Sequence, residues 1–155
     1  MLCSVRLRRT LLVCIAVSFA AIDLVHKSLA PAEFHHARTP FVALIMAAVI
    51  AALVVLVPRV PSNAAACGAG VACGGALGNL VSLLAWSQGV PDPLVVSGTL
   101  HGVAFNLADL FAITGDALLL GAVVLHGIRH RARLGESSTR LNPDSVVNVP
   151  MTKRA

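Results

Sequence analysis

The sequence predicts an all-α integral membrane protein: a bundle of four transmembrane helices with short outer loops and both termini in the cytoplasm. Three observations predict it. Of 155 residues, 57% are hydrophobic and 12% are charged, about half the charge of a typical soluble domain. Four apolar runs recur, at 10–29, 41–58, 64–86 and 105–128, each close to the length that spans ~30 Å of hydrocarbon as a helix. The Lys and Arg residues gather at alternate ends of those runs, as cytoplasmic loops do. This composition excludes a disordered chain and argues against an ordinary soluble enzyme. Four cysteines are too few for a disulfide scaffold. A net charge of +5 would point to nucleic acid in a soluble protein. Here the basic residues flank apolar runs and serve topology, so no nucleic-acid partner is expected.

The runs are continuous rather than alternating, which favours helices over barrel strands. Helix 1 (10–29) follows Arg6, Arg8 and Arg9. Its Arg-rich start and the terminal Ser28-Leu29-Ala30 have the outline of a cleavable signal peptide. Asp23, His26 and Lys27 sit where such a peptide is uncharged, so the run reads as a retained helix. Pro31 and Pro40 bracket the first connection, Pro58 and Pro61 the second, and Pro91 and Pro93 lie in the third. Helix 2 covers 41–58. Helix 3 (64–86) carries Ala66, Gly70, Gly74 and Gly78 at intervals of four, a stripe that lets a neighbouring helix approach closely. Trp86 at its end reads as an interface anchor. Gly68-Ala69-Gly70 lacks the strand-turn-helix context of a nucleotide loop, and Cys67 and Cys73 do not share a face, so neither suggests a ligand. Helix 4 (105–128) precedes Arg129, Arg131 and Arg133. With Arg59, Arg140, Lys153 and Arg154, ten basic residues fall on one side, against Lys27 and Arg38 on the other. Residues 1–133 thus form the transmembrane domain, and 134–155 a polar, disordered cytoplasmic tail.

Polar residues inside the apolar runs are expensive in hydrocarbon and mark functional candidates. Asp23 lies ~20 Å from the cytoplasmic edge of helix 1, and Lys27 is one turn further on the same face. Asn79 lies at a similar depth in helix 3. Asn106 and Asp109 open helix 4, three apart on one face. Asp92 lies in the loop joining helices 3 and 4. All six therefore converge on the outer leaflet. Plainer readings compete: an ion pair at a helix end for Asp23 and Lys27, interhelical glue for Asn79, a turn residue for Asp92. Asp109 is harder to explain away, as no basic residue lies near it in sequence. Asp116, seven residues deeper, is expected to be neutral or buried against another helix. Glu33, His35 and His36 read as a solvated loop rather than a metal site.

These residues form three recognisable segments. Asp23-Leu24-Val25-His26-Lys27, Gly74-Gly75-Ala76-Leu77-Gly78-Asn79 and Phe105-Asn106-Leu107-Ala108-Asp109, followed by Ile113 and Gly115, resemble the first-, third- and fourth-helix motifs of the lipoprotein signal peptidases, or signal peptidase II. Their order, spacing and helix placement also agree. The resemblance implies a membrane aspartyl endopeptidase of the bacterial cell membrane. Such enzymes remove signal peptides from diacylglyceryl-modified prolipoproteins, cutting before the lipidated cysteine. It implies Asp92 and Asp109 as the catalytic pair, Asp23, Lys27, Asn79 and Asn106 as supporting residues, lipoprotein precursor and membrane lipid as partners, and no cofactor or metal. The chain departs from the family in places. Pro93 follows Asp92, Ser82-Leu83 stands where the family has Asp-Arg, and the connection 34–41 lacks the family's N-x-G-x-A-F segment. That connection is also too short for the family's outer β-structured cradle, which leaves His35, His36 and Arg38 as candidates for lipid phosphate. Two other readings stand beside this one: an inactive homologue binding lipopeptides or a membrane partner, and a small proton-coupled transporter subunit using Asp109 and Asp116.

Overall fold

Each apolar run is helical, and local chemistry sets where each helix starts. The computed structural model describes residues 2–37, 39–96 and 102–140, with side chains for 4–37, 39–96 and 102–131. Helix α1 spans Leu2–Leu29. It begins before the apolar run because arginine is a good helix former once outside hydrocarbon, so Arg6, Arg8 and Arg9 are helical. Thr39 caps α2 (Pro40–Leu56), accepting from the Val42 amide at 3.4 Å, with Pro40 in the first turn. A 3₁₀ turn, Val57–Arg59, follows. Ser62 caps α3 (Asn63–Ala85) through the Ala65 amide at 3.2 Å. Helix α4 runs Leu107–Arg140, past the expected end at 128 and into the segment expected to be a disordered tail. Residues 141–155 of that tail, Arg38, and the side chains of Arg133 and Arg140 lie outside the described residues. Among the described residues, four helices are long and apolar enough to cross a membrane: Ser4–Leu29, Pro40–Arg59, Asn63–Ala85 and Leu107–Arg131.

The chain divides into two compact units, Met1–Val123 and Val124–Ala155. The first holds every residue of the site described below. Within it α3 is central, because its small residues permit close packing on two sides. Gly70, Gly74 and Gly78 face α1: a Cβ on Gly74 would stand 2.6 Å from the Phe19 Cβ. Gly68 and Gly75 face α4, and Gly115 of α4 packs reciprocally on the Ala72 backbone. Only glycine allows backbones this near. Leu12, Ala16, Ala65, Ala69 and Cys73 form the buried core, with Val57 closing it. No residue of α2 is buried. Its fully apolar surface suits lipid contact.

Among the described residues, four short strands depart from a purely helical picture, at the end of the bundle where α3 finishes and α4 begins. β1 (Phe34–His36) pairs antiparallel with β2 (Val90–Asp92), with Phe34 opposite Asp92 and His36 opposite Val90. β3 (Leu94–Val96) pairs with β4 (Val103–Phe105), with Leu94 opposite Phe105. The connection after α1 thus does contribute to a β-structure. Three residues suffice for β1 because it takes its partner from the later loop. Gly89 turns the chain into β2 with φ +101°, and a Cβ there would meet the His36 carbonyl oxygen at 2.6 Å. We call this the ribbon end.

Candidate active site

The two ribbons explain why residues far apart in sequence meet. Asp92 ends β2, and β3 follows after Pro93. Because Leu94 pairs with Phe105, the hairpin folds the chain back and places Asp92 beside Asn106. Asn106 Nδ2 donates to Asp92 Oδ1 at 2.6 Å. Asn106 is also the residue that starts α4. Its Oδ1 accepts from the Asp109 amide at 3.1 Å, and its own amide donates to Asp109 Oδ2 at 3.2 Å. This is a reciprocal capping box with aspartate at the third helical position. One asparagine therefore bonds to both carboxylates.

Asp109 receives a second donor, Asn79 Nδ2, at Oδ1 and 2.9 Å. The orientation of that amide is set from behind. Lys27 Nζ donates to Asn79 Oδ1 at 2.8 Å, to Asp23 Oδ2 at 2.7 Å and to Ser82 Oγ at 3.2 Å. An ammonium has three protons, and these contacts use them all. With its oxygen committed to Lys27, Asn79 must present its amino group to Asp109. Asp23 does more than pair with Lys27. Its Oδ1 accepts from the Ala108 amide at 2.8 Å, one of the donors that a helix start leaves without an internal partner. A carboxylate there also complements the positive end of the α4 dipole. Gly78 makes room for it: a Cβ would stand 2.5 Å from Asp23 Oδ2. Phe19 and Phe111 meet edge to face, with centroids 4.7 Å apart, one turn further from the ribbon end.

The six residues singled out from sequence thus lie in one hydrogen-bonded chain, running Asp23, Lys27, Asn79, Asp109, Asn106, Asp92. All are buried except Asp109, which is partly exposed. A partly exposed carboxylate is thus held by a buried polar scaffold.

Two members were not anticipated. Ser82 supplies the third acceptor for Lys27 and donates its own proton to the Gly78 carbonyl at 2.7 Å. Its spacing of three from Asn79 on one helix face was the available signal. His36 Nδ1 contacts Asp92 Oδ2, so this exposed residue also joins the site. Nothing local announced this. Asp116 is exposed on α4 rather than buried against a helix, because its neighbour Gly115 occupies the face turned to α3. Trp86 borders a cavity of about 250 Å³ lined also by Ala37, Leu83, Ser87, Gln88 and Gly89. None of the six site residues lines it.

The family model described as signal peptidase (SPase) II matches residues 15–125. No curated protein is similar enough to match the chain. The matched segment contains all six site residues and the greater part of the four apolar helices. The chain is therefore a multi-pass membrane protein that belongs to the signal peptidase II family.

Proposed function

We propose that this protein is a membrane aspartyl endopeptidase that cuts diacylglyceryl-modified prolipoproteins before the lipidated cysteine, with Asp92 and Asp109 as its catalytic pair. The observation that carries the proposal is the bridge through Asn106, which bonds to both carboxylates. A carboxylate pair performs this hydrolysis when one member is ionised and the other protonated. The ionised member takes a proton from water as it attacks the scissile carbonyl. The protonated member donates to the developing oxyanion and, after proton redistribution, the leaving amine departs protonated. Asn79 and Asn106 hold the carboxylates in place, and Lys27 with Asp23 holds Asn79 and the start of α4. This chemistry calls for no metal or organic cofactor. The basic residues flanking α1 and α4 support an orientation with both termini in the cytoplasm and the ribbon end at the outer face of a bacterial cell membrane. There water reaches the pair while the acyl chains of the substrate stay in lipid.

A second reading, an inactive homologue that binds lipopeptides, is favoured by one feature: Ser82-Leu83 stands where the family has Asp-Arg. Cleavage of a diacylglyceryl prolipoprotein by the purified protein in detergent separates the two. The proposal expects cleavage by the parent and its loss in both Asp92→Asn and Asp109→Asn. Loss in Asp109→Asn alone refutes Asp92 as partner. No cleavage by the parent, with another family member active in the same assay, selects the binding reading.

A further inference from the structure

Asp92 is held at both oxygens, and the two holds differ in kind. Oδ1 accepts from Asn106, a buried amide of fixed charge. Oδ2 meets Nδ1 of His36, whose side chain is 61% exposed while that of Asp92 is 2% exposed. With hydrogen on Nδ1, the His36 ring donates to Asp92 Oδ2.

The backbone fixes this contact. His36 lies opposite Val90 in the β1–β2 register, which makes it the diagonal neighbour of Asp92. Gly89, whose missing side chain leaves space for the His36 carbonyl, secures that register. The other charged groups approach from elsewhere. Asp109 on α4 is reached through Asn106, Asp23 and Lys27 on α1 lie beyond Asn79, and α3 offers only the uncharged Asn79 and Ser82. Glu33 and His35 flank His36 on its own segment. Among the described residues, His36 is the one that contacts Asp92 from the exposed side.

We infer that His36 is a positioning residue for the hydrolysis: it orients the Asp92 carboxylate from the aqueous side of the ribbon end. The inference rests on the peptidase reading with Asp92 in the catalytic pair. It also accounts for what β1 contributes, since this three-residue strand carries His36 to the site.

The test is prolipoprotein cleavage by the full chain in detergent, with kcat and KM measured for the parent, His36→Ala and His36→Asn. An asparagine amide stands close to where Nδ1 stood and still donates. His36→Ala is expected to lower kcat by about 10–100-fold, the usual range for a group that orients another functional side chain, with KM changed less than about threefold. His36→Asn is expected to recover most of kcat, because its amide replaces the donor. The inference is overturned if His36→Ala matches the parent, or if its loss appears in KM rather than in kcat. It is also overturned if both variants lose kcat equally, which would mark a purely structural role. An active parent with an unaffected His36→Ala removes His36 alone. An inactive parent beside an active family member removes the peptidase reading, and this inference with it.

Discussion

Asn106 and Asp109 cap one another at the start of α4, each side chain accepting from the other's backbone amide, at 3.1 and 3.2 Å. The pair that ends the ribbon and begins the helix is thus also the pair that fixes a candidate catalytic carboxylate. Helix nucleation and site geometry rest on the same atoms.

That coupling can be pulled apart at Asn106. Alanine removes both the cap and the donor to Asp92, and serine restores only the cap. Asn106→Ala is expected to cost about 1 kcal/mol or more in stability and to abolish cleavage. Asn106→Ser is expected to regain most of the stability while staying inactive. Thermal unfolding in detergent beside the cleavage assay checks both, and a fully active Asn106→Ser would remove the Asp92 contact from the mechanism.

The close approach of α3 to its neighbours predicts a graded glycine series. Gly78→Ala pushes on the Asp23 carboxylate, and Gly75→Ala pushes on the Ala108 and Ala112 backbone, which cannot give way. Overpacking of this kind costs about 1–3 kcal/mol, and Gly75→Ala is expected at or above the upper end. Gly121→Ala meets nothing within 4 Å and gains helix propensity of up to about 1 kcal/mol. Unfolding temperatures should therefore rank Gly121→Ala at or above the parent, then Gly78→Ala, then Gly75→Ala.

Lys27 and Asp23 are a buried pair, with both side chains at 0% exposure. Breaking such a pair from one side costs about 3–5 kcal/mol because a charge is left without its partner. Lys27→Met should show that loss. Adding Asp23→Asn should return part of it, since the amide oxygen still accepts from the Ala108 amide and no lone carboxylate remains. A double variant no more stable than Lys27→Met would contradict this account. Neither is expected to cleave normally, because Asn79 is no longer oriented by an ammonium.

At the opposite end, Arg8 is buried and its Nε donates to the Pro58 carbonyl at 2.9 Å. This ties α1 to the turn after α2, where a helix end leaves carbonyls without partners. Arg8→Met keeps the apolar stem and loses the donor, with an expected cost of about 1–3 kcal/mol. Arg8→Lys should recover little, because an ammonium lacks the fixed donor geometry of a guanidinium. Thermal unfolding distinguishes this tie from a role in topology alone, for which Arg8→Lys would be neutral.

Local rules made much of this protein readable in advance. Run length and hydropathy identify four helices because a span must satisfy its backbone within itself. Glycine spacing on α3 identifies the close-packed face because helical periodicity is a property of a short segment. Asp23 and Lys27, Asn79, and Asn106 with Asp109 could be chosen because each lies on a helix whose direction is known. The rest depended on how the segments meet. Arg8 reads as a topology charge until Pro58 is seen beside it. Ser82 reads as a lost aspartate until Lys27 reaches it across 55 positions. Asp23 caps a helix that begins 84 positions later, since Leu107 follows the Asn106 cap. His36 finds Asp92 across 56 positions through the register of a three-residue ribbon. Hydropathy and periodicity act over a few residues of one segment, whereas these hydrogen bonds depend on helix crossing and strand register, which no single segment encodes.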